Sequence, residues 1–210
     1  PNVTSATFSF NSWNNTEDLK ELYKKYLTTT RKPCTNVEDC SECGKPGGTI
    51  RMYLKDGSSL EMDSVQIKGV DSTIRRTRGE VGANTNLVVT EKIMTHDEQL
   101  ASTIFNVNLN GKNSSVQVSS RSIAKNNSKQ EFTSNIVGNN ECFGHVECDA
   151  IIMDNASVSA VPEIMANHTD AQLIHEAAIG KIAGEQLIKL MTLGLTEKQA
   201  EEEIINGFLK

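Results

Sequence analysis

From Thr49 onwards apolar and polar positions alternate in short bursts. Leu60-Glu61-Met62 and Phe105-Asn106-Val107-Asn108-Leu109 carry the two-residue period of a strand with one buried face. Thr49–Leu54, Leu60–Ile67, Leu87–Met94, Ile104–Leu109, Ser115–Ile123 and Ala150–Met153 predict strands on this pattern. Between them lie Asp56-Gly57, Asn110-Gly111, Asn126-Asn127, Gly138-Asn139-Asn140 and Asp154-Asn155. Such residues form turns because they tolerate positive φ or bond their own backbone. Strand starts recur about every 10–17 residues, which leaves no room for crossover helices and predicts an all-β zone. Spacing alone admits a sandwich or a solenoid. Scarce aromatics (5%), Asn- and Gly-rich turns and small polar residues beside the aliphatics favour the solenoid, whose rungs each bury a thin aliphatic stripe.

The ends read differently. Before about Gly48, Thr16 is placed to cap a helix whose Leu19, Leu22, Tyr23 and Tyr26 form one apolar stripe. A cysteine-bearing loop follows, closed by the turn signal Gly44-Lys45-Pro46-Gly47-Gly48. From about Ala171 the pattern predicts helix. Ala183–Leu193 carries Leu187, Ile188, Leu190 and Met191, and Gly194 suits a helix end. Thr196-Glu197-Lys198-Gln199 is a capping box opening a second helix, with Ala200, Ile204, Ile205 and Phe208 on one side. Three regions result: residues 1–48, a β core at 49–170 and a helical region at 171–210. The helical pair suits two roles, an end cap for the β zone or a docking platform.

Composition narrows the classes. A net charge of −6 counts against an electrostatic nucleic-acid binder. No apolar run approaches the roughly 20 residues of a membrane span, and no signal-peptide pattern is visible. Five cysteines, an odd number, fit reduced thiols or metal ligands in the cytoplasm better than a full set of disulfides.

Three groups of residues carry possible chemistry. Cys34, Cys40 and Cys43 resemble half a zinc knuckle, but a structural zinc takes four ligands, and a cysteine-rich loop without metal fits the spacing as well. Cys142 and Cys148 flank Phe143-Gly144-His145-Val146-Glu147. If the strand runs from Val146, Cys148 points inwards with Val146 and Ala150, where a thiol is inert unless His145 or a residue of the third region intervenes. His175-Glu176 pairs an imidazole with a carboxylate, able to bind iron or move a proton, or simply to sit as a polar pair at a seam. There is no Walker loop, GxGxxG, His-Glu-x-x-His or nucleophile elbow.

Several segments together resemble the SufB/SufD family of iron–sulfur cluster assembly proteins, in its compact bacterial and archaeal form. They are Val65-Gln66-Ile67-Lys68-Gly69-Val70-Asp71-Ser72, Thr90-Glu91-Lys92-Ile93-Met94-Thr95-His96, Ser119-Ser120-Arg121-Ser122-Ile123-Ala124-Lys125 and Phe143-Gly144-His145-Val146-Glu147-Cys148-Asp149 running on to Asp154. Pro162-Glu163-Ile164, His175-Glu176-Ala177-Ala178-Ile179-Gly180, Gly184-Glu185-Gln186-Leu187, Gly194-Leu195-Thr196-Glu197 and Asn206-Gly207-Phe208 complete the set. The resemblance covers roughly residues 49–210. It implies a mainly β fold, a right-handed parallel β-helix with a small C-terminal helical domain. It implies a non-enzymatic scaffold holding a nascent iron–sulfur cluster, with Cys148, His175 and Glu176 as sulfur-accepting and cluster-binding residues. It implies three partners: a SufC-type ABC ATPase on the C-terminal helices (Leu187, Thr196, Ile204, Phe208), a second SufB/SufD-type subunit and a sulfur donor. A SufD-like structural subunit without its own cluster site is the alternative. A β-solenoid enzyme acting on polysaccharide is disfavoured by the few aromatics. The first 48 residues, with a helix and a cysteine loop where further rungs are expected, depart from the family pattern.

Overall fold

The computed structural model describes residues 7–9, 47–67 and 71–209. Eleven strands and two helices follow one another along it: β1 (Thr7–Ser9), β2 (Gly47–Leu54), β3 (Ser59–Gln66), β4 (Ser72–Val81), β5 (Asn86–Thr95), β6 (Leu100–Leu109), β7 (Ser114–Ala124), β8 (Lys129–Gly138), β9 (Cys142–Ile152), β10 (Ser157–Ala166) and β11 (Ala171–Gly180), then α1 (Gly184–Thr192) and α2 (Glu197–Phe208). The strands form two sheets, ordered β1-β3-β5-β7-β9-β11 and β2-β4-β6-β8-β10. Every pairing is parallel, and from β2 onwards partners lie 27–29 positions apart, as in Ser59 with Asn86, Ser114 with Cys142 and Cys142 with Ala171, while β1 pairs with β3 at a separation of 54. The chain therefore climbs as a parallel β-solenoid, each turn laying one strand on each sheet. A sandwich of antiparallel hairpins is excluded by these pairings.

Alternation places the core. In β6 each second residue from Ala101 to Leu109 is buried while its neighbours are half-exposed. Leu87 and Val116 stack on one sheet and Val81 and Leu109 on the other, all within 1% of full burial. The abundant asparagines stack at the corners. Asn167 Nδ2 donates to Asn139 Oδ1 and Asn139 Nδ2 to Asn110 Oδ1, each at 2.8 Å. Asn84, Asp97, Asn113, Asn126 and Asp154 hold positive φ of 53–58°, which short polar side chains tolerate better than others. Gly111 is fixed by crowding: a Cβ there would stand 2.0 Å from the Ala83 backbone nitrogen.

The six strands expected from alternation are all present, and the turns fall where Asn, Asp and Gly cluster. Gly47 and Gly48, expected to close a linker, open β2 instead. The larger difference is at Ala171–Gly180, whose Ala- and Glu-containing pattern predicts helix. It is β11, pairing along its whole length with β9, and the helices begin only at Gly184. A ready parallel edge outweighs intrinsic helix propensity, which is worth only tenths of a kcal/mol per residue. Thr196 caps α2 through a reciprocal capping box with Gln199, as its sequence predicts. The helices do not close the solenoid. The inward residues Ile164 and Ile179 of the last turn stay 46% and 39% exposed, so the reading of α1 and α2 as an end cap is not met. The helix expected around Thr16–Tyr26 lies outside the described residues.

Candidate functional site

Cys148 sits in the middle of β9 on the inward face, 1% exposed. Register sets it in a column running Ser64, Glu91, Ser120, Cys148, Ala177 across successive turns. This column is polar where a solenoid core is expected to be apolar. Glu91 is 6% exposed and lies between Val89 and Ile93, both core residues. Its carboxylate takes Arg75 Nη2 at 2.5 Å, Ser120 Oγ at 3.1 Å and Thr103 Oγ1 at 3.3 Å. Arg75 reaches Glu91 from β4 on the facing sheet and also bonds Ser64 Oγ. Burial pushes the Cys148 thiol up to about 11, with the charges of Glu91 and Asp149 adding to the effect. The thiol is thus held protonated at neutral pH, as an inward-facing cysteine is expected to be.

His175 lies on β11 beside Val146 and shares the inward face with Cys148, one turn nearer the open end. Its Nε2 is buried and has no hydrogen-bond partner among the described residues. Burial, and then the neighbouring His145, hold its pKa below the usual histidine value, so the ring stays neutral and offers a lone pair. Glu176 points the other way. Strand alternation turns it to the outer face, where His145 Nε2 meets its carboxylate at 3.1 Å. The outer face also carries Glu147 and Asp149, and the Asp149 carboxyl is raised by burial and by Glu147 against the pull of Arg121. The fold therefore brings Cys148 and His175 to one interior and leaves Glu176 on the opposite side of the sheet. No group of three or more His, Cys, Asp or Glu among the described residues is arranged to hold a metal ion. Cys34, Cys40 and Cys43 lie outside the described residues.

Of the residues expected to face a partner on the helices, Leu187, Ile204 and Phe208 are half-buried and Thr196 is taken up by its cap. The exposed apolar surface is instead Ile188, Met191 and Leu193, at 61%, 43% and 80%. Exposed apolar residues also lie on the terminal strands, Val161 and Met165 on β10 and Ile174 on β11 of the other sheet. Sequence reasoning missed the Arg75–Glu91 pair. Its signal was present, because Glu91 falls in phase with Val89 and Ile93 on a strand whose inner face is otherwise apolar. No helix among the described residues is long and apolar enough to cross a membrane.

Comparison with known proteins agrees with this architecture. The family model of the SUF system FeS cluster assembly, SufBD core domain, matches residues 34–208, starting ahead of residue 49, where the resemblance was placed from sequence. An iron-sulfur cluster assembly SufBD family protein of Methanothermobacter thermautotrophicus is 38% identical over 103 residues, 48% of this chain and 25% of that protein. Its counterpart in Methanocaldococcus jannaschii is 38% identical over 104 residues, 49% of this chain and 33% of that protein. One from Staphylococcus haemolyticus is 34% identical over 102 residues, 47% of this chain and 22% of that protein. The matched stretch thus spans a third or less of these relatives. With a parallel solenoid, the inward cysteine and a family match over residues 34–208, the chain belongs to the SufBD family of iron–sulfur cluster assembly proteins.

Proposed function

We propose that this chain is a scaffold subunit of a SUF-type assembly complex, accepting sulfur and iron at Cys148 and His175 and passing on a cluster, with no turnover chemistry of its own. The observation that carries this is the position of Cys148, one turn in from a solenoid end that the described residues leave uncovered. Thiolate and imidazole together suit a transient site, because a cluster that must leave should not be held by four thiolates. The free strand edges of β10 and β11, flanked by Val161, Met165 and Ile174, suit pairing with a second SufB/SufD-type subunit. Such pairing covers the open end and brings a second His175 and Glu176 towards the first site. Ile188, Met191 and Leu193 offer the apolar contact for a SufC-type ATPase, whose motion would separate the paired subunits and expose the site. Free thiols at Cys142 and Cys148 suit a reducing, cytoplasmic setting.

One observation favours a second reading. The thiol of Cys148 is sealed and held protonated, which fits a SufD-like structural subunit whose cysteine is idle. Anaerobic reconstitution with ferrous iron and sulfide, read by absorbance and iron content, separates the two. The scaffold reading expects cluster absorbance in the wild type that Cys148→Ser loses. Equal absorbance in both moves the site to Cys34, Cys40 and Cys43, and no cluster in either favours the structural subunit.

A further inference from the structure

On the outer face of the five-stranded sheet two arginines stand side by side. Arg51 on β2 and Arg78 on β4 are register partners, and both are exposed. Neither side chain forms an ion pair or hydrogen bond with a described residue. Glu80, on the same face of β4, does not answer them. Its carboxylate is held by the side-chain amides of Asn108 and Asn110, which donate at 2.8 and 2.7 Å. Like charges directly opposite on neighbouring strands destabilise a sheet, so a counter-charge from outside would relieve this pair.

The column that holds the two arginines changes sign across the sheet. Arg51, Arg78, Asn106, Asn135 and Glu163 lie in register from β2 to β10, basic on one edge strand, neutral in the middle and acidic on the other. Apolar groups flank both ends. Tyr53, 69% exposed, lies beside Arg51, and the exposed Val161 and Met165 lie on either side of Glu163. Ile104, half-exposed, lies on the central strand β6. This order is self-complementary. A two-fold axis parallel to β6 lays β2 of one copy over β10 of the next, and β4 over β8. Arg51 then faces Glu163 and Tyr53 faces Met165, each twice, while Ile104 meets its own copy on the axis.

We infer that this face is an interface between two copies of the chain, packed sheet on sheet with their strands aligned. Two sheets stacked about 10 Å apart with aligned strands are an ordinary packing. Five strands about 4.8 Å apart, each about eight residues long, present roughly 600 Å² of plane. That matches the low end of specific interfaces, about 1,200 Å² in total, and fits a weak association led by charge. It is separate from pairing along the free edges of β10 and β11, which uses backbone groups at one end of the solenoid and leaves β2 untouched. Nothing in it depends on Cys148 or on a cluster.

The test is sedimentation velocity on the full chain at low salt, over a range of protein concentrations. Wild type, Arg51→Glu, Glu163→Arg and an equimolar mixture of the two variants are compared, with thermal unfolding to confirm that each is folded. Each variant alone sets like charges against one another at both contacts, and its self-association is expected to weaken about tenfold or more. In the mixture each variant supplies the charge that the other has lost, so wild-type affinity is expected to return. A mixture that associates no better than either variant would overturn the interface, and so would a wild type that stays monomeric throughout. A dimer that persists unchanged in Arg51→Glu would overturn it too, and would leave the edge pairing and the scaffold reading standing.

Discussion

Replacing Arg75 by Met tests whether the charge inside the solenoid is compensated as described. Glu91 is almost fully enclosed, with its side chain 8% exposed, while Arg75 keeps 22%. Removing the guanidinium leaves the carboxylate with only the hydroxyls of Ser120 and Thr103 as donors. Breaking a buried pair on one side costs about 3–5 kcal/mol, because an uncompensated charge remains. The hydroxyl donors and the partial exposure of Arg75 place this case at the lower end, about 3 kcal/mol. For a chain of this size that corresponds to roughly 6–12 °C in melting temperature. Replacing both residues, Arg75→Met with Glu91→Gln, removes both charges, and the double variant should recover to within about 1 kcal/mol of wild type. Urea unfolding of the wild type, both single variants and the double variant, followed by circular dichroism, gives the coupling energy. Solenoids can unfold turn by turn, so equal m-values across the four proteins are needed before midpoints are converted. If Arg75→Met alone shifts stability by less than about 0.5 kcal/mol, a surface-like value, the pair is solvated and the polar column is not a sealed interior.

Two further outcomes are expected. The Cys148 thiol is raised in the fold from 9.0 to about 11, so its stabilising effect is complete below pH 9 and is lost as pH rises towards 11. Cys148→Ser should therefore remove part of the alkaline loss of stability, on the order of 2–3 kcal/mol at the top of that window, measured by urea midpoints from neutral pH upwards; parallel curves for the two proteins would refute the burial. Gly111→Ala should fail to fold or lose at least about 3 kcal/mol, because the new Cβ meets the backbone at Ala83 and not a movable side chain, and a melting temperature within a few degrees of wild type would contradict the corner geometry.

Much of the fold was legible because a solenoid strand writes a period of two locally. Leu60–Ile67 and Ser115–Ile123 needed only their own alternation, and the capping box at Thr196 needed only four residues. Two of the strands that alternation missed have inner faces carrying polar residues that are satisfied from a distance. In β4, Arg75 stands where an aliphatic residue is expected, and it is tolerable there only because Glu91 faces it from the other sheet. Gln130 and Ser134 in β8 likewise spoil an inner stripe that Phe132 and Ile136 otherwise mark.

The site divides in the same way. The sequence by itself determined the family resemblance and the inward direction of Cys148, since both follow from residue identity and a two-residue period. It placed His175 and Glu176 together because they are adjacent in the chain. Only the tertiary structure decided that they part company. Ala171–Gly180 adopts strand on the waiting edge of β9, and neighbouring residues on a strand face opposite sides. The pairing of Arg75 with Glu91 and the open end beyond β11 were likewise decided by the winding of the chain. Each depends on residues brought together from different turns or different sheets, a distance no local pattern encodes.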